Sequence, residues 1–91
     1  MIPEEKVKKY FSITREALAK AEASGNRTSL TSEREDFLDM VTRYVSDAEH
    51  FYNKGDLVNA FAALNYAHGW LDAGARIGLF DVHDSRLFTV D

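Results

Sequence analysis

The chain has no cysteine and a single proline. Without cysteine there is no disulfide framework, no thiolate metal site and no thiol nucleophile, and the composition suits a reducing, cytoplasmic interior. Long apolar runs are missing as well: none approaches the roughly 18 residues of a membrane span. The opening MIPEEKVKKYF puts charges where a secretory leader needs its apolar stretch. Neither secretion nor membrane insertion is expected. Positive charge is in deficit, 11 Lys and Arg against 15 Asp and Glu, for a formal net charge of −4. Nucleic acid is therefore not an expected partner, because binding it requires Lys and Arg gathered on one face to displace phosphate counterions. No glycine-rich phosphate loop follows a strand, and no nucleophile elbow surrounds Ser85 and His83.

What remains is an ordinary globular balance, 45% apolar and 29% charged residues in a chain of 91. That balance lies away from the signature of disorder. Helical periodicity then predicts an all-α domain over 1–91, an antiparallel up-and-down three-helix bundle with helices near 3–24, 32–53 and 56–80 and a tail over 81–91. Pro3 suits a first helical position, and Glu4 and Glu5 suit the positive end of the helix dipole. Val7, Phe11, Ala17, Leu18 and Ala21 make the apolar stripe of the first helix, which Ser24-Gly25-Asn26 should end through a left-handed glycine. Ser32 and Glu35 have capping-box spacing ahead of Phe37, Val41, Val45, Ala48 and Tyr52. Asn53-Lys54-Gly55 stops the second helix and Asp56 caps the third after almost no loop, which forces a hairpin.

The third helix is apolar nearly all round, so it is expected at the centre, covered by both other helices or by a second subunit. Gly69, Gly74 and Gly78 each cost about 1 kcal/mol relative to Ala in a helix interior. They point to close backbone approach or to a broken helix end. Leu87-Phe88-Thr89-Val90 in the tail suits a groove or another chain, and a packed or frayed end is the plainer reading.

Asn65, His68, Asp72 and Arg76 share one ridge of the third helix, at steps of three and four. They form a candidate ligand site in which Arg76 holds an anion, Asp72 orients His68 and His68 moves a proton. The plain alternative is an Asp72–Arg76 ion pair beside a histidine satisfied within the bundle. His68 and Asp72 have metal-ligand separation but lack a third ligand, so neither metal nor cofactor is expected. Arg43 and His50, like Arg76 and His83, loosely resemble the Arg–His pair of helical ribonucleases of the higher-eukaryote-and-prokaryote nucleotide-binding type. Tyr44, Ala48, Phe51, Gly55, Asp56, Leu57, Ala60, Leu64 and Ala67 resemble one tetratricopeptide helix pair, which alone builds no repeat scaffold. The function expected is a small interaction or adaptor module that self-associates or binds a protein, with Trp70, Leu79 and Phe80 as its interface. The alternative is a ligand-binding or catalytic protein using the ridge.

The run Tyr66-Ala67-His68-Gly69-Trp70-Leu71-Asp72-Ala73-Gly74-Ala75-Arg76-Ile77-Gly78-Leu79-Phe80, preceded by Phe51-Tyr52-Asn53-Lys54-Gly55-Asp56, resembles the short archaeal proteins of domain-of-unknown-function family 357. The resemblance implies a cytoplasmic three-helix bundle of under about 100 residues and no particular activity.

Overall fold

A computed structural model describes residues 1–90 and contains three helices, α1 (Glu4–Ala23), α2 (Thr31–Asn53) and α3 (Leu57–Ile77). All three helix pairs pack together, α2 against α3 most extensively, in an all-α up-and-down bundle. Asp56 caps α3 as the sequence predicts, its carboxylate accepting from the Asn59 N–H at 3.1 Å. Gly55, at φ 78°, supplies the left-handed residue of the two-helix hairpin.

The other helix ends differ from the sequence reading. Pro3 sits one residue outside α1 with extended backbone, its carbonyl accepting from Lys6 and Val7. Gly25 is not left-handed: Ser24 takes extended backbone after Ala23, and its hydroxyl donates to the Ala21 carbonyl at 2.7 Å. The capping box does not form. Leu30 occupies the N-cap of α2 with no side-chain hydrogen bond, and the Ser32 hydroxyl turns to its neighbour Glu33. Asn26 and Thr28 fix the helix start instead. The Asn26 side-chain oxygen accepts from the Thr28 N–H, and the Thr28 hydroxyl accepts from the Leu30 N–H.

Arg34 does most to hold this end of the bundle. Its guanidinium donates to the carbonyls of Ala21, Glu22 and Ser24 at 3.2, 3.2 and 2.8 Å, and to that of Leu79 at 2.7 Å. It also lies over the Phe80 ring, 5.5 Å from the centroid. An arginine from α2 thus takes up the carbonyls left open at the end of α1 and ties them to the end of α3.

The third helix ends at Ile77 rather than near residue 80, because Gly78 adopts φ 90° and closes it. Leu79 and Phe80 then fold back into the core, where Leu87 and Phe88 of the tail join them against Ala17, Val41 and Leu71. A second cluster joins Val7, Phe11, Ala48, Ala60, Ala63 and Leu64 at the other end. Gly74 permits the fold-back. A Cβ there would overlap Phe80 Cε2 and lie 2.8 Å from Phe80 Cδ2. The tail is packed, with the carboxyl-terminal Asp91 outside the described residues.

Candidate functional site

The ridge predicted on α3 holds the chain's own tail. His68 Nε2 donates to the Leu87 carbonyl at 2.6 Å, since a carbonyl only accepts. In the neutral ring Nδ1 then accepts from the Thr14 hydroxyl of α1 at 3.1 Å. Asp72 Oδ1 accepts from the Thr89 N–H at 2.9 Å, and Arg76 Nη1 donates to the Thr89 carbonyl at 3.1 Å. These side chains therefore engage main-chain atoms of residues 87–89, while Leu87 and Phe88 fill the core beneath. The expected Asp72–Arg76 pairing is replaced by a shared grip on Thr89. Asp72 lies 4.0 Å from His68 Nε2.

Ion pairs extend the clamp along α1. Arg86 makes a bidentate contact to Glu16, and Lys20 reaches Asp84 at 3.1 Å. Hydrogen bonds from these cations hold both carboxyls below their usual range. Asp81 and Arg27 approach to 3.7 Å. Asn65, the fourth residue of the ridge, stays exposed at its border. Arg43 pairs with Asp39 at 2.8 Å and His50 lies against the Phe51 ring, both on exposed positions of α2. Among the described residues no three His, Asp or Glu gather as a metal would require.

The three expected interface residues separate. Leu79 and Phe80 are 0% exposed, covered by the chain itself because the helix stops at Gly78 and turns them inward, so neither offers a docking surface. Trp70 alone reaches the surface, half-buried edge-on to Phe37 at 4.8 Å. An apolar face lies beside it that the sequence reading did not isolate. Val58, Ala62, Tyr66, Gly69, Ala73 and Ile77 are all exposed and follow one another at steps of four, four, three, four and four, on one strip of α3. Val58, Tyr66 and Ile77 are 59%, 52% and 54% exposed. Phe37, Trp70 and Tyr66 wall a shallow groove of about 370 Å³, floored by Gly69 and Ala73. Tyr44 continues the aromatic wall, 4.5 Å from Tyr66. Among the described residues nothing lies within 4 Å of a Cβ built on Gly69, so packing within the chain gives no reason for glycine there.

Charges border this strip unequally. On the α2 side, Glu33 lies one turn from Phe37 and Asp47 one turn from Tyr44, with Asp36 one turn from Glu33 and Arg43, paired with Asp39, one turn from Asp47. On the α1 and tail side, Lys6 lies over the Phe61 ring at 5.4 Å, and Arg76 sits beside Ala73 and Ile77. Among the described residues no helix is long and apolar enough to cross a membrane. Comparisons with curated proteins and with solved structures gave no match. A family model does match, over residues 9–80, which take in most of α1, all of α2 and α3, and the Gly78 turn. The chain belongs to the family of proteins of unknown function DUF357.

Proposed function

We propose that this protein is a small cytoplasmic interaction module that docks a protein through the outer strip of α3. The observation that carries the reading is the strip itself. It runs the length of the helix, and its large apolar side chains are more than half exposed. Soluble monomers rarely leave a continuous apolar face of that kind uncovered. Tyr66 on the strip and Trp70 beside it are residue types enriched at the centres of interfaces. The ridge of His68, Asp72 and Arg76 supports this reading indirectly, since each of those side chains already bonds the tail.

Photo-cross-linking in the cells that make the protein tests the proposal. A photoreactive side chain at Ala73 should give discrete protein adducts, and the same group at Asp39, on the exposed side of α2, should give none. Equal labelling from both positions, or none from Ala73, refutes the docking role.

A further inference from the structure

Resting on that reading, we infer that the occupant of the α3 strip is a second copy of this chain, paired with its α3 parallel to the first. Area and charge together lead there. A helix of 21 residues is about 31 Å long, and at about 10 Å width its outer strip offers roughly 300 Å². A stable interface buries about 800 Å² per partner, so the contact must spread over both bordering rims. The rims differ in charge: Glu33, Asp36 and Asp47 along α2, where Arg43 is paired with Asp39, and Lys6 and Arg76 along the α1 and tail side, where Asp72 accepts from the Thr89 N–H. Among the described residues Asp36 and Asp47 have no ion-pair partner, and Lys6 lies over the Phe61 ring.

A homodimer is isologous, so each rim meets a rim related to it by the two-fold axis. Two orientations bring strip against strip. With the axis across α3 the helices run antiparallel and the acidic rim meets its own copy, which repels. With the axis along α3 the helices run parallel, and the acidic rim of each copy faces the basic rim of the other. The second arrangement also preserves level along the bundle. Lys6, over Phe61, then meets Asp47 of the other copy, near the Tyr44–Tyr66 contact. Arg76 meets Glu33 and Asp36, one turn beyond the Phe37–Trp70 contact. Gly69 and Ala73 fall at the centre of the strip, where the missing side chain lets the second backbone approach.

Sedimentation of the purified full chain, from about 1 to 500 μM, tests the pairing. The wild type should dimerise. Asp47→Lys and Lys6→Glu, both shown folded by circular dichroism, should each weaken the dimer at least about tenfold, because each puts like charges opposite one another twice. An equimolar mixture of the two variants should recover wild-type affinity as a heterodimer, since the lysine introduced in one variant then faces the glutamate introduced in the other. A wild type that stays monomeric throughout overturns the inference. So does a dimer that Asp47→Lys tightens, the antiparallel signature, or one that the mixture fails to restore. A monomeric wild type that still cross-links a different protein through Ala73 leaves the docking role standing and removes only the second copy as occupant.

Discussion

Replacing Gly69 and Gly74 by alanine, one at a time, should move stability in opposite directions although the two lie five residues apart on one helix. Alanine gains about 1 kcal/mol over glycine in a helix interior, from a stiffer unfolded chain and a better-shielded backbone. At Gly69 nothing opposes that gain, because beyond its chain neighbours and the local helix backbone no described atom lies within 4 Å of the added Cβ. Gly69→Ala should raise stability by about 1 kcal/mol, and the melting temperature of a domain this size by about 4–8 °C. At Gly74 the Cβ would overlap Phe80 Cε2 and sit 2.8 and 3.0 Å from Cδ2 and Cζ, all on a ring that is 0% exposed. The ring has no solvent to move into, so overpacking should cost about 1–3 kcal/mol beyond the helical gain. The variants should differ by about 2–4 kcal/mol in urea unfolding at concentrations low enough to keep the chain monomeric. A Gly74→Ala protein as stable as wild type would refute the account of how Phe80 folds back. A destabilised Gly69→Ala protein would refute the open space above α3.

Arg34→Met should lower stability by about 2–3 kcal/mol in urea unfolding, because half-buried carbonyls lose a charged donor, and Arg34→Lys should recover only part of it. His68→Phe should release the tail selectively, seen as faster amide exchange at Thr89 with α2 unchanged; uniform loss of protection would instead mark His68 as a general core residue. The tail should also loosen in acid. Glu16 and Asp84 titrate lower when folded than when unfolded, so the unfolded chain binds more protons. Their contribution is present above the usual carboxylate range and fades as pH falls through the lowered values. Thr89 exchange, corrected for intrinsic rate, should therefore accelerate as the pH falls below the usual carboxylate range, and Glu16→Gln should remove much of that dependence.

Helical periodicity is carried by many residues at once, so three amphipathic segments and the Asp56 cap were legible from sequence alone. Of the ends, the stop of α2 at Asn53 before the left-handed Gly55 was legible too, but the others depended on single interactions and were not. Ser32 and Glu35 have capping-box spacing, but the Asn26–Thr28 turn starts α2 one residue earlier, and a side chain from another helix, Arg34, takes the open carbonyls of α1. Leu79 and Phe80 continue the apolar period of α3, and only the left-handed Gly78 turns them inward. The ridge was legible as a set of neighbours on one face. What it holds was not, because hydrogen bonds to the backbone of residues 87–89 leave no mark on side-chain identity.

The all-round apolar character of α3 divides, in the structure, into three sectors with different coverings. One faces α1 and α2 through Ala60, Ala63, Ala67 and Leu71. A second carries His68, Asp72 and Arg76 and is closed by the tail. The third, from Val58 to Ile77, is left bare by the rest of the described chain. The division also decides which side chain reports on that bare sector. Trp70 packs edge-on to Phe37 at 4.8 Å while reaching the surface, so Trp70→Ala would lower fold stability and association together. Tyr66 stands farther out, more than half exposed, with its ring against Tyr44 at 4.5 Å and Trp70 at 6.4 Å. Tyr66→Lys should therefore cost little in monomer stability, about 1 kcal/mol from the lost ring contacts. If the outer strip docks a protein, that substitution should abolish the Ala73 cross-link while the melting curve of the dilute chain stays close to wild type. A large loss of stability with the cross-link intact would place Tyr66 in the fold and not at the interface.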